Sequence, residues 1–278
     1  NVILYNEHTW GAHCSINKPD DPFTKDQWAI KQAFAVDADR QSQQLLNESL
    51  AERSATKGTV TAIDVVNTTS WPRTDLVLLP PEMTVAGDTV RTDDGQTVPS
   101  QRLVNGSLAV WAENVPALGA KRLLLSAGAA VASGNAKAEE GTLSSKELRL
   151  VVDKTTGAIA SLTASGIPED LVDAKSGAGL NEYYYVAGRK PSDPQRNGPV
   201  RVEVQDRGPL VASLVIESDA PGCQKLVRQL QVVDRLGRVD VTNVVDKKDI
   251  RSQESVHFGF AAHVPGGTVR MDMPWSVV

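Results

Sequence analysis

The chain has 278 residues, of which 41% are hydrophobic and 23% charged; that is the make-up of a globular protein able to bury a sizeable core, on a length suited to about two domains of ~150 residues, and it excludes global disorder. A net charge of −5 and a pI near 5.5 exclude the basic surface that a nucleic acid or an anionic membrane would require. No apolar run approaches the roughly 20 residues of a membrane-spanning helix, so neither nucleic acid nor membrane is an expected partner.

Val2 to Tyr5 is an apolar run that reads as a buried strand. The chain opens without an initiator Met or a signal segment and stops in extended-looking sequence at Met271–Val278, so a piece of a longer protein is expected. Tyr5-Asn-Glu-His-Thr-Trp-Gly-Ala12 follows that first strand. Strand C-termini of α/β sheets and barrels are where polar active-site groups are displayed. Here the Trp10 indole could serve as an apolar platform for a sugar face, with the Glu7 carboxylate bonding hydroxyls. The competing reading is a strand-to-loop corner with Trp10 in the core and Glu7 paired to His8. His8, His13 and Cys14 do not form the two close ligand pairs of a self-contained structural zinc site.

Residues 17–23 form a polar, Pro-bearing loop, and Thr24-Lys-Asp-Gln27 is a capping-box pattern. No Pro or Gly interrupts the chain from there to Lys57, and Trp28, Phe34, Ala35, Ala38, Leu45, Leu46 and Leu50 recur at roughly helical spacing. One amphipathic helix of roughly 50 Å is expected, ended by Gly58. No partner helix is expected downstream of it, so its apolar stripe is expected to pack against an upstream segment. After Gly58 come short β-rich runs at 60–66, 75–79, 101–104, 107–111 and 121–125, punctuated by Pro, Gly and Asn-Gly, which predict a small β-sandwich. The Ala- and Gly-rich stretch 128–141 reads as a linker. Beyond it, a hairpin turning at Lys154–Gly157 and alternating strands at 201–204, 210–217, 223–233 and 239–245 predict a large antiparallel sandwich.

Two cysteines far apart, Cys14 and Cys223, do not make a disulfide framework. Alternation along Tyr183-Tyr-Tyr185 sends Tyr184 to one face and its neighbours to the other. In Gln253–Phe260 it turns Phe258 and Phe260 to the core together and His257 away. No Gly-x-Ser-x-Gly elbow, phosphate loop or dinucleotide fingerprint is present, and no carboxylate pair stands out as the acid and nucleophile of a glycosidase.

The order of the parts does resemble a known family. Glu7-His-Thr-Trp-Gly-Ala12, Phe23-Thr-x-x-Gln-Trp-x-x-Lys31, Val66-Asn-Thr-Thr-Ser-Trp-Pro-Arg73, Asp153-Lys-Thr-Thr-Gly-Ala-Ile-Ala-Ser-Leu162 and Gln253-Glu-Ser-Val-His-Phe-Gly-Phe260 together resemble glycoside hydrolase family 38, the α-mannosidase-like enzymes. The resemblance implies a retaining hydrolase of α-linked sugars whose zinc-bearing β/α barrel, nucleophile and acid lie upstream. It implies a mainly β fold with a long N-terminal helical segment, a small β-sandwich and then a large antiparallel galactose-mutarotase-like sandwich. The expected parts are the end of the catalytic domain at 1–23, a bundle helix at 24–58, the small sandwich at 59–130 and the large one at 140–278. Glu7, His8 and Trp10 would line the sugar site, and Asn6 would stand where the family places a zinc-binding His. Zinc is expected in the full-length parent and not in this chain alone. The expected partners are a carbohydrate substrate and the upstream catalytic domain of the same polypeptide. The alternative is a non-catalytic carbohydrate-binding or structural β-sandwich protein.

Overall fold

The computed structural model describes residues 12–51, 61–190, 192–268 and 270, and the backbone of 272–273 and 276–277. The chain divides into two compact units, Asn1–Gly58 and Thr59–Val278. It is mainly antiparallel β with one long helix near the N-terminus, the class expected from the sequence.

The first unit is dominated by α1 (Pro22–Ala51), 30 residues and so about 45 Å long. Its start differs from the capping-box expectation. Asp21 Oδ1 accepts the Phe23 N–H at 3.0 Å, and Pro22 takes the first helical position, where an N–H would lack an intrahelical partner anyway. The expected cap residues instead tie the helix to the preceding turn. Thr24 Oγ1 donates to the His13 carbonyl and Gln27 Oε1 accepts the His13 N–H, both at 3.1 Å. Residues 52–58 of the expected helix lie outside the described residues. Along α1, Leu45 and Leu46 of the expected stripe are exposed, Phe34, Ala35 and Ala38 are half-buried, and Ile30 and Val36 outside the stripe are exposed as well.

The small sandwich is built from β1 (Ala62–Asn67), β2 (Arg73–Leu79), β3 (Thr89–Thr92), β4 (Thr97–Val98), β5 (Ser100–Arg102), β6 (Leu108–Val115) and β7 (Gly119–Ser126). One sheet runs β1-β7-β3-β4 and the other β2-β6-β5. Ile63, Val90, Leu123 and Leu125 of the first face Leu79, Leu108 and Val110 of the second, so alternate residues of each strand supply the core. β1 and β2, consecutive in the chain, are therefore edge strands of opposite sheets.

The large sandwich sets a six-stranded sheet against a four-stranded one. The six strands are β8 (Lys137–Glu139), β9 (Thr142–Ser144), β10 (Leu148–Val152), β11 (Ile159–Ala164), β12 (Leu180–Ala187) and, past the other sheet in sequence, β17 (Glu254–Phe260), in the order β17-β12-β11-β10-β9-β8. The other sheet is β13 (Val200–Arg207), β14 (Val211–Ser218), β15 (Cys223–Val233) and β16 (Val239–Lys247), in chain order. Residues 137–139, expected as linker, form a strand instead, because Ala136 and Ala138 are small enough to close the edge of the core beside Leu143. That core is completed by Leu150, Val152 and Ile159 against Leu214, Ile216, Leu230 and Val232.

The two sandwiches are fused along a seam. Leu103, Ala109 and Trp111 pack on Leu210, Val211 and Val233. Buried Gln101 spans the seam with its whole amide. Its Nε2 donates to the Val211 carbonyl at 2.8 Å, and Oε1 accepts the N–H groups of Leu210 and Val211 at 2.9 and 3.0 Å.

Candidate functional site

Asn6, Glu7, His8 and Trp10, the site residues expected from the sequence, lie outside the described residues. His13 is described: its ring meets Phe23 edge-on, with centroids 6.4 Å apart. Among the described residues no three His, Cys, Asp or Glu side chains converge as a metal site, so they do not fit a zinc centre and no metal chemistry is assigned to them.

Two buried charged side chains, Glu182 and Arg228, meet beside β12. This strand pairs with β11 only at Leu180↔Ile159. Past that point a bulge at Asn181, whose φ is +59°, shifts the register against β17, and next to it Gly179 donates its N–H to Glu182 Oε2 at 3.0 Å. Beyond the bulge, Tyr185 exchanges both backbone hydrogen bonds with Gln195. β12 is thus left open between Leu180 and Tyr185, and charged side chains fill the gap.

Arg228 enters from the facing sheet. It sits on β15 in phase with Leu226, Leu230 and Val232, all turned inward, and is fully buried. Its Nη2 donates to the Thr156 carbonyl at 2.7 Å and its Nη1 to the Asn181 carbonyl at 3.4 Å. Burial pulls the guanidinium down to about 10, partly offset by the charge of Glu182. The turn over it requires glycine. Gly157 has φ +71°, and a Cβ there would fall onto Arg228 Nη2. Asn181 and Asn243 close the cluster through reciprocal amide bonds of 2.9 and 2.8 Å.

Glu182 is 2% exposed. Its Oε1 lies 3.1 Å from Arg196 Nε yet makes no well-aligned hydrogen bond, and Arg228 Nε is likewise unpartnered. Such orphans are costly. Arg196, half exposed, also lies over the Tyr184 ring at 5.7 Å. Burial, and then the charge of Glu182, raise the Tyr184 hydroxyl above the ordinary tyrosine value of 10.0. Gly259 on β17 lets that ring lie across the sheet, since a Cβ there would come within 2.8 Å of Tyr184 Cε2. Arg196 thus lies against both the Tyr184 ring and the Glu182 carboxylate, and an exposed arginine changes rotamer on the nanosecond scale.

The expected alternation holds for the tyrosines. Tyr183 and Tyr185 enter a core with Cys223 and Leu226, and Tyr184 takes the other side. Phe258 joins that core, but Phe260 is exposed, against the expectation that both are covered. Alternation chooses a face; it does not provide something to cover the strand's end. His257 is exposed opposite Tyr184. Sequence reasoning missed Glu182 and Arg228. The available signal was an arginine occupying an inward position within Leu226-Val-Arg-Gln-Leu230.

No protein-family model and no curated protein matches the sequence. Among solved structures the chain is similar to a protein of glycosyl hydrolase family 38 from Enterococcus faecalis. The TM-score is 0.59 at 10% identity, and the match covers 85% of this chain and 37% of that one. The fold is shared with a glycoside hydrolase. The chain spans little more than a third of that relative's length.

Proposed function

We propose that this chain is the sandwich portion of an α-mannosidase-like glycoside hydrolase. In the longer polypeptide an upstream catalytic domain would cleave an α-linked sugar with retention, through a glycosyl–enzyme intermediate. The observation that carries the proposal is the three-dimensional likeness to a glycosyl hydrolase family 38 protein over 85% of the chain. The sequence motifs that resemble that family support it. Glu7, His8 and Trp10 would border the sugar, and Asn6 would stand at the position of a metal ligand. Asn is a poor replacement for a zinc-binding imidazole, so any zinc depends on donors of the upstream domain, and no step is routed through it here.

The role given to the described residues is substrate contact. Glu182 accepts hydroxyl hydrogens, Tyr184 supplies a flat apolar face, and Arg196 covers both until substrate displaces it. Arg228 positions Glu182 from behind and touches no sugar. None of these groups is assigned the chemical step.

The test uses the full-length parent with p-nitrophenyl α-mannoside and NMR detection of the anomer first formed. Turnover with retention is expected, and Glu182→Gln should raise KM by about tenfold, the scale of one lost charge-assisted contact. The 278-residue chain alone should not turn over the substrate. Absence of glycosidase activity in the parent across α-linked substrates would overturn the proposal.

A further inference from the structure

A second feature lies on the small sandwich, away from Glu182. Where β1 and β2 run as edge strands of opposite sheets, the sandwich is open. Between them is a cleft of about 180 Å³ lined by Val65, Val66, Asn67, Arg73, Asp75 and Val77, among others. Its walls mix apolar and polar surface in nearly equal share, and its polar side chains are one amide, one guanidinium and one carboxylate. A few polar groups placed among apolar ones are what fix the orientation of a bound small molecule.

The loop joining these two strands is built to hold a shape. Asn67 is buried and its Nδ2 serves the carbonyls of Trp71, Val115 and Pro116 at 2.8, 3.2 and 3.1 Å. Its Oδ1 accepts from Thr69 N and Oγ1 at 3.0 and 2.7 Å. Thr69 in turn accepts the Leu118 N–H at 2.9 Å, which binds the loop to the neighbouring β6–β7 turn. What these bonds hold in place is exposed and apolar. Trp71 is 61% exposed, and Leu118 is 75% exposed at a φ of +45°. A non-glycine residue persists in that conformation only when its surroundings impose it, and such residues cluster at functional sites. A large indole held in water on a rigid loop lowers the ordering cost of binding.

The charged pair indicates the ligand class. Arg73 Nη2 donates to Asp75 Oδ2 at 2.9 Å, and Asp75 Oδ1 takes the Leu76 N–H and Arg238 Nη2. A guanidinium has five N–H donors in one plane, and the described hydrogen bonds of Arg73 use only Nη2. A planar donor fork beside an acceptor matches vicinal hydroxyls, and an indole face matches the apolar side of a pyranose. Arg73, Asp75, Arg238 and its second partner Asp240 carry no net charge together, which disfavours a charged ligand.

We propose that the Asn67–Arg73 loop and the cleft between β1 and β2 form a second sugar-binding site, taking one pyranose unit of a glycan on Trp71 with its hydroxyls on Arg73 and Asp75. The choice of sugar as ligand rests on the carbohydrate reading above; the geometry of the site does not depend on Glu182. Such a site would hold a polymeric or branched substrate in the same compact unit as Glu182 and Tyr184.

The experiment titrates the 278-residue chain with α-linked mannotriose and follows saturation-transfer NMR and tryptophan emission. Native chain should bind, and Trp71→Ala and Arg73→Gln should each weaken binding by about five- to tenfold, the scale of one aromatic or bidentate contact. Lys146→Ala, an exposed position in neither site, should leave this binding in place. Far-ultraviolet circular dichroism checks that each variant is folded. Binding that survives Trp71→Ala but is lost in Glu182→Gln overturns this inference and leaves the hydrolase reading standing. Trp71-dependent binding in a chain whose parent lacks glycosidase activity does the reverse. No binding by native chain of mannotriose, or of its glucose and galactose counterparts, overturns the inference outright.

Discussion

Replacing Asn67 offers a sharp check on how the small sandwich is closed. Its side chain makes five hydrogen bonds, with two amide hydrogens shared among three carbonyls. In Asn67→Ala the Val115 carbonyl, buried where water cannot reach it, loses this side-chain donor at about 1–3 kcal/mol. The half-buried carbonyls of Trp71 and Pro116 recover water and lose less, about 0.5 kcal/mol each, and the freed Thr69 groups a similar amount. The sum is about 3 kcal/mol, which at a urea m-value of about 2–3 kcal/mol/M lowers the midpoint by about 1 M. Asn67→Asp separates donor from acceptor. It keeps the oxygen that Thr69 uses but turns a carboxylate toward three carbonyls, so it should lose at least as much as the alanine variant. Urea melts followed by near-ultraviolet circular dichroism report both. If Asn67→Asp unfolds at the native midpoint, or Asn67→Ala shifts it by less than about 0.3 M, the donor argument is wrong.

Two further expectations follow from the same reasoning. Gly157→Ala should destabilise by more than about 3 kcal/mol, since it adds backbone strain to displacement of the buried Arg228, whereas Gly166→Ala, with φ +80° and open space around it, should cost only the strain of about 1–2 kcal/mol; equal melting temperatures would refute the crowding. The second concerns acid. Lys247 and Tyr185 hold Glu254 below its ordinary 4.5, Lys225 and Arg201 do the same for Glu217, and the Thr156 and Thr155 amides hold Asp153 below 3.8. Each folded carboxyl therefore binds its proton less readily than the unfolded one, so its contribution is full above the ordinary value and is lost as pH falls through the depressed one. Thermal melts from pH 6 to pH 3 should decline below about 4.5, less steeply in Asp153→Asn; a flat profile over that range would contradict these pairings.

Much of the fold could be read from periodicity, because it depends on local order. The uninterrupted stretch after Pro22 announces a helix, and Glu147–Leu162 announces a hairpin whose register, Leu150↔Leu162 and Val151↔Ser161, keeps one face apolar. The misses have physical causes. β3 and β4, Thr89–Thr92 and Thr97–Val98, are too short and polar for alternation to register, and they are held by pairing with β7 and with each other. β8 hides in an Ala-rich run because its small side chains matter only once a core edge exists to accept them. At the helix start two caps competed within four residues, and the Asp-Pro pair prevailed over Thr24. The Glu182–Arg228 cluster escaped because it joins positions 46 apart in sequence and buries charges that composition places at the surface. Only the inward phase of Arg228 among leucines betrayed it.

Gln101 carries a consequence for how this architecture can change. An amide that completes hydrogen bonds with Leu210 and Val211 makes the outer wall of the small sandwich part of the interior of the large one. Excised alone, the small sandwich would present Leu103, Ala109 and Trp111 to water and leave the 210–211 backbone of its neighbour unsatisfied. It is therefore not a cassette that recombination could shuffle onto another protein. The two sandwiches are inherited, folded and lost together, and any surface that evolves on one is delivered at a fixed bearing to every surface on the other.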